Sequence, residues 1–295
     1  MTHRKPTSHT YFSQRLRLHY ADWGNSGAPH MLLVHGVQDH CHSWDWFADA
    51  FADHYHVIAP DLRGHGDSEW VRGSSYHHLD YVYDLDQLVR QRELVPSVVV
   101  SHSLGGTLSA LLCGVYPECF SALVIIEGVG LWPGWGGGDQ PPHVRIDEWI
   151  RGTRTMASRL PRRYGSLEEA YERMQRANVH LTPEQARHLT VHGSNRNEDG
   201  SYSWKFDNYT HAWPAFRIPA GLIIGLWRRI SCPVLLINGG EGFGHRIGHD
   251  GTHEHFADVE LVEVPDAGHW VHHDRLDQVV ATVEAFLARA LPGRE

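Results

Sequence analysis

The chain has 295 residues and a formal net charge of −9, from 26 lysines and arginines against 35 aspartates and glutamates. That balance excludes the basic surface a nucleic-acid partner requires, and no run approaches the roughly 18 apolar residues that span a bilayer. Four cysteines without a C-x-x-C pair read as reduced thiols, as expected of a cytoplasmic protein, and the length fits one large domain or two small ones.

Residues 1–12 carry no apolar signal core. Residues 16–23 alternate and predict an early strand, ended by Gly24-Asn25-Ser26-Gly27. Residues 31–34 form a short continuous apolar run, the pattern of a strand buried on both faces. Residues 54–60, 98–100, 122–126, 233–237 and 259–264 repeat it. Helical periods fall between them, over 44–51, 79–94, 107–116 and 276–291. Strands alternating with helices predict an α/β chain with a doubly wound, mainly parallel sheet covered on both sides.

The alternation breaks between Leu131 and Ile230. The break opens with the glycine- and tryptophan-rich run from Trp132 to Gly138. Helix starts follow: Ser166-Leu167-Glu168-Glu169 fits a capping box, and Thr182-Pro183-Glu184 an N-cap with proline in the first turn. Residues 195–209 are polar and turn-rich, a hairpin or loop, and 221–229 predict a last short helix. We read 131–230 as an inserted, mostly helical cap, with 1–130 and 231–295 as the core. No repeat or low-complexity tract interrupts this plan.

The most informative stretch is Ser101-His102-Ser103-Leu104-Gly105-Gly106, between the apolar strand 98–100 and the helix 107–116. A serine on a sharp strand-to-helix turn, with small neighbours, is the pattern of a nucleophile elbow. Ser101 stands where glycine is usual in G-x-S-x-G, and serine is small enough for the turn. A nucleophilic serine needs a base. Among 25 histidines, His269 is singled out by Pro265-Asp266-Ala267-Gly268-His269-Trp270, after the last strand and before the last helix. A loop there returns over the carboxyl ends of the strands, where a parallel sheet places its site. His272 and His273, further on, are expected to serve structure or solvent. The oxyanion hole calls for backbone N–H groups. Leu104 supplies one, and Val37, in the loop His35-Gly36-Val37-Gln38 after the strand 31–34, the second.

These pieces, with Asp61-Leu62-Arg63-Gly64-His65-Gly66-Asp67-Ser68, resemble the α/β-hydrolase superfamily over nearly the whole chain. The chain looks like the capped branch that holds epoxide hydrolases, haloalkane dehalogenases, carbon–carbon bond hydrolases and lactonases. The resemblance implies a serine–histidine–acid triad under a lid. The epoxide hydrolases and dehalogenases of that branch use an aspartate nucleophile, so Ser103 argues against their chemistries. In most of the superfamily the acid follows the strand matching 234–237, three residues after a glycine. Here that count meets Gly242 or Phe243, and neither can serve. A second family position, at the end of the strand after the nucleophile helix, holds Glu127. We take Glu127 as the acid, with Glu241 as the alternative.

Asp39-His40-Cys41-His42 and the set His245, His249, His253 and His255 look like metal sites, but neither has the spacing of a known zinc motif. No metal and no cofactor is expected. Asp61 and Arg63 are expected to fix their loop. Gly36, His40, Trp132 and Trp135 are the candidate substrate contacts, with Trp132 and Trp135 part of an aromatic cap. The chain reads as a serine hydrolase of an ester or lactone of an apolar small molecule, aromatic ones included. Carbon–carbon hydrolysis of a vinylogous diketone and a non-catalytic ligand receptor are the alternatives. The partner is a small molecule, with neither nucleic acid nor membrane; the oligomeric state is not readable.

Overall fold

A computed structural model describes residues 4–73, 76–131, 140–212, 214–249 and 251–292. Eight strands form one sheet: β1 (Thr7–Ser13), β2 (Leu16–Asp22), β3 (His30–Val34), β4 (His56–Pro60), β5 (Ser97–His102), β6 (Phe120–Ile126), β9 (Val234–Gly239) and β10 (Val259–Val264). Their spatial order is β1-β2-β4-β3-β5-β6-β9-β10. The β1–β2 and β2–β4 pairs are antiparallel, and all the others are parallel. The apolar runs 31–34, 98–100, 122–126, 233–237 and 259–264 all became strands. β1 has no such run; five of its seven residues are polar or charged-capable, and only Tyr11 and Ser13 are buried. It was invisible because Tyr11 and Phe12 are its only apolar residues.

Successive residues of the central strands point to opposite sides. Leu32, Val34, Val99, Leu123, Ile125, Val234 and Leu236 join the core on one face. Met31, Leu33, Val98, Val100, Val124, Ile126, Leu235 and Ile237 join the core on the other. Helices α2 (His78–Gln91), α3 (Leu104–Val115) and α7 (Ala220–Trp227) cover the first; α1 (Asp45–Phe51) and α9 (Leu276–Ala290) cover the second. Burying each large aliphatic side chain contributes about 1.5–3 kcal/mol, so the double-sided strands carry most of the sheet's hydrophobic stabilisation. Chain order reverses between β3 and β5, the switch point where a doubly wound sheet opens a crevice at its carboxyl ends.

Between β6 and β9 lie α4 (Pro142–Ala157), α5 (Leu167–Ala177), α6 (Pro183–Gly193), the hairpin β7 (Ser194–Arg196)–β8 (Tyr202–Trp204), and α7. Both expected helix starts are capped. The Ser166 hydroxyl accepts from Glu169 N, and Thr182 and Gln185 form a reciprocal capping box. The Glu169 carboxylate accepts from Gly165 N instead of closing a box on Ser166. α7 packs on α3, where a side chain on Gly114 would strike the Leu226 carbonyl at 2.5 Å. Among the described residues no helix is long and apolar enough to cross a membrane. All four cysteines are free thiols.

Many imidazoles are buried in this fold. Burial lowers the pKa of His35 and His78 to about 4 and of His40, His65 and His273 to about 3. An unfolded histidine titrates near 6.5, so each contributes stability fully present above that pH. This stability is lost as the pH falls from 6.5 toward 3–4, at about 1.4 kcal/mol per pH unit and imidazole. Asp39 acts oppositely: burial raises it to about 7, so it favours the fold on mild acidification and offsets roughly one imidazole. The thermal midpoint should therefore fall by at least roughly 5 °C between pH 7.5 and 5.5. A midpoint unchanged across that interval, read by circular dichroism, would contradict neutral burial of these rings.

Candidate active site

β5 ends on the elbow. Ser103 has φ 51° and ψ −117°, a left-handed conformation that costs a non-glycine residue about 1–3 kcal/mol. The surroundings hold it there. Ser103 N donates to the Ile126 carbonyl of β6 (3.0 Å), while Gly106 N and Thr107 N donate to the Ser103 carbonyl. Gly105 must lack a side chain, because a Cβ would lie 2.3 Å from the Val34 carbonyl oxygen. The departure at Ser101 is absorbed: its hydroxyl is buried and donates to the Val124 carbonyl at 3.0 Å.

Ser103 opens into a cavity of about 150 Å³ lined by Val37, Tyr76, Tyr81, Leu104, Val129 and Phe243, among others. Larger clefts lie elsewhere, such as one of about 630 Å³ beside Trp70 and Trp149, but Ser103 does not line it. Val37 and Leu104 both line this cavity. Leu104 begins α3, so its N–H is one of the first-turn donors without an intrahelical acceptor.

Glu127, the residue after β6, also has positive φ, 51°, and its carboxylate is buried. Unpaired, such a charge would be costly. It accepts hydrogen bonds from Gly239 N (2.7 Å) and Phe243 N (3.3 Å). His269 Nδ1 stands 3.2 Å from Oε2. Arg246 Nε stands 3.3 Å from Oε1 as an ion pair outside hydrogen-bond alignment, and its Nη1 donates to the Phe243 carbonyl. Four partners thus converge on one carboxylate.

Glu241, the alternative acid, is exposed and faces His180 at 3.6 Å. Gly242, where the common family count falls, backs onto Glu127: a Cβ there would sit 2.3 Å from Oε2. The space a loop carboxylate would take is filled by one arriving from β6.

His269 uses Nδ1 toward Glu127, which leaves Nε2 for a hydroxyl. The Phe243 ring, which lines the Ser103 cavity, lies 4.2 Å from the His269 ring. No hydrogen bond joins Ser103 Oγ to another described residue; such contacts are commonly long in free enzymes and close with substrate. The loop carrying His269 is pinned twice. His102 Nε2 donates to the His269 carbonyl at 2.8 Å, and Asp274 Oδ2 accepts from Gly268 N at 2.8 Å. Burial, followed by the neighbouring His269, pushes His102 well below the usual histidine range, so it stays a neutral donor.

Sequence reading missed Arg246, His102 and Asp274. His102 could have been suspected from its place beside Ser103; Arg246 sits in a glycine–histidine loop with no spacing signal. His272 and His273 are buried and not in solvent. His272 stacks on Trp44 at 4.7 Å, and His273 Nε2 lies 3.1 Å from Ser43 Oγ, which donates to Asp39. His40 is buried with Nε2 3.1 Å from the Leu189 carbonyl, away from the Ser103 cavity. Gly36 stays close to Ser103: a Cβ there would be 3.0 Å from Ser103 Cβ. Trp132 and Trp135 lie outside the described residues. Asp61 fixes its loop, accepting from Cys41 N and Asp67 N and meeting His19 Nδ1 at 2.7 Å. Arg63 donates to both oxygens of Asp84.

The Alpha/beta hydrolase family profile matches residues 31–282, and the chain belongs to that family. It is 23% identical to Epoxide hydrolase 3 of Mus musculus over 296 residues, covering 93% of this chain and 75% of the relative. It is 26% identical to Esterase Rv0045c of Mycobacterium tuberculosis over 272 residues, covering 90% and 84%. Among solved structures, the hypothetical protein PA1622 of Pseudomonas aeruginosa superposes with a TM-score of 0.84 at 24% identity, covering 97% of this chain and all of the other.

The contact between Gly242 and Glu127 is testable. Gly242→Ala should displace the carboxylate and lower kcat by at least roughly tenfold, since overpacking a filled site costs about 1–3 kcal/mol. Gly244→Ala, which meets nothing within 4 Å, should leave kcat unchanged. Equal rates for both variants in a steady-state assay would show that the carboxylate position does not matter.

Proposed function

We propose that the protein is a serine hydrolase of a carboxylic ester or lactone with a compact apolar acyl group. The observation that carries this reading is the strained Ser103 turn opening into an apolar cavity whose Phe243 wall lies 4.2 Å from the His269 ring, with Nδ1 of that ring facing the buried Glu127 carboxylate. Ser103 Oγ attacks the carbonyl carbon, and His269 Nε2 takes its proton. The N–H groups of Val37 and Leu104 hold the developing oxyanion. Glu127 stabilises the imidazolium, which then protonates the leaving alcohol. Water, deprotonated by His269, attacks the acyl-enzyme; the acid leaves and the serine recovers its proton.

The cavity volume supports a small acyl moiety. About 150 Å³ holds a group the size of a benzene ring. The 131–230 segment acts as the cap that selects substrate, with Gly36, Trp132 and Trp135 as the substrate contacts, while His40 packs on the Leu189 carbonyl away from the Ser103 cavity. The similarity to an esterase agrees with serine chemistry. The similarity to an epoxide hydrolase is not followed, because an ester of Ser103 on an alkyl carbon would not hydrolyse usefully.

A fluorophosphonate probe should label the wild-type chain, and Ser103→Ala should abolish labelling and lower kcat about 10⁴-fold or more. Retained labelling in that variant would remove Ser103 from the mechanism, and an unlabelled wild type would favour a binding protein. His269→Ala should be comparably severe. Glu127→Gln should cost at least roughly a hundredfold and Glu241→Gln less than about tenfold, with the reverse ordering moving the acid to the loop after β9. A panel of nitrophenyl esters, lactones and dienone acids assayed on the wild type separates ester and lactone cleavage from carbon–carbon hydrolysis.

A further inference from the structure

We propose that His42, Asp45, His188 and His192 form a site for one divalent transition-metal ion of the zinc class, fastening α6 to the start of α1. The ligands come from two distant parts of the chain. His188 and His192 are four residues apart on α6, so both side chains share one helix face. His42 and Asp45 are three apart where a 3-10 turn (Cys41–Trp44) runs into α1. The fold presses these faces together: His188 Nε2 lies 3.2 Å from the His42 carbonyl oxygen.

Donor atoms of His42, Asp45 and His192 lie within 4.8 Å of one another. Asp45 already has ligand spacing to two imidazoles, 3.1 Å to His42 Nδ1 and 3.0 Å to His188 Nε2. A tetrahedral zinc site with bonds of about 2.0–2.2 Å sets its donor atoms roughly 3.4 Å apart. His42, Asp45 and His192 supply three donors within 4.8 Å of one another, and His188, already on Asp45, turns in as the fourth. His192 makes only ring contacts among the described residues, at 4.0 Å to His42 and 4.5 Å to His188. Two imidazoles, His42 and His188, already meet the Asp45 carboxylate, and a third, His192, stands against both rings. Three nitrogens and one carboxylate oxygen suit zinc, cobalt or nickel and disfavour magnesium or calcium.

Two other clusters are weaker rivals. Asp61 in the His19–Cys41–Asp61 group is already saturated by two backbone N–H groups and His19. Asp39, His102 and His272 are each sealed from solvent. The junction site is partly open, with side-chain exposures of 22% for His42, 13% for Asp45 and 25% for His188.

The test uses the full chain, freed of metal by a chelator and titrated with cobalt(II) chloride. One tight equivalent should bind, with the visible absorption of four-coordinate cobalt, and zinc should displace it. Saturating zinc should raise the thermal midpoint. His192→Ala should weaken binding at least roughly tenfold and abolish the spectrum, and His42→Ala should do the same. Ser103→Ala and His272→Ala should bind like the wild type. If His192→Ala fails to fold, His192→Gln is read instead. Six-coordinate cobalt spectra, absence of a tight equivalent, or binding indifferent to His192 would overturn the proposal.

Discussion

The Glu127 carboxylate is a full charge placed at the end of a buried strand, and the loop after β9 is built around it. Two backbone N–H groups, an arginine and an imidazole converge on its two oxygens. Removing that much hydration is tolerable only when every lone pair finds a partner. The consequences spread along the chain. Gly242 must be bare, Arg246 must be carried inward, and the strand bridge between Val129 and Arg246 ties the two loops together. The imidazole of His269 is thereby held by the same charge that would stabilise its protonated form.

The second constraint is the elbow. A residue forced to positive φ stores strain, and the parallel sheet offsets it by packing α3 directly on β3, with no room for a side chain at Gly105. The sheet's switch point then puts the β3 loop, the elbow and the ends of β6 and β9 on one rim. The strain at Ser103, the first-turn N–H of Leu104 and the buried Glu127 carboxylate are three results of one topology. His102 links them: it precedes Ser103 on β5 and holds the carbonyl of His269.

Local patterns carried the fold a long way. The continuous apolar runs of the central strands, the periodic helices and the caps at Ser166 and Thr182 are signals of burial and backbone hydrogen bonding over a few residues. Ser103 and His269 were legible for the same reason, since each is marked by small neighbours at a strand end. β1 was not, because its residues are mostly polar and leave no apolar run. The partners of Glu127 were not legible either: Arg246 approaches it through a loop whose shape no nearby residue announces.

The sequence by itself determined the alternation of strands and helices, the serine turn, the histidine loop and two possible acids. It could do so because those features rest on interactions between residues close along the chain. Only the tertiary structure separated the surroundings of Glu127 and Glu241, burying one carboxylate 3.2 Å from His269 and leaving the other exposed beside His180. It alone brought His42 and Asp45 against His188 and His192, and turned most of the core-facing histidines into neutral buried rings. Desolvation and charge pairing depend on what packs nearby in space, and the order of residues does not encode that directly.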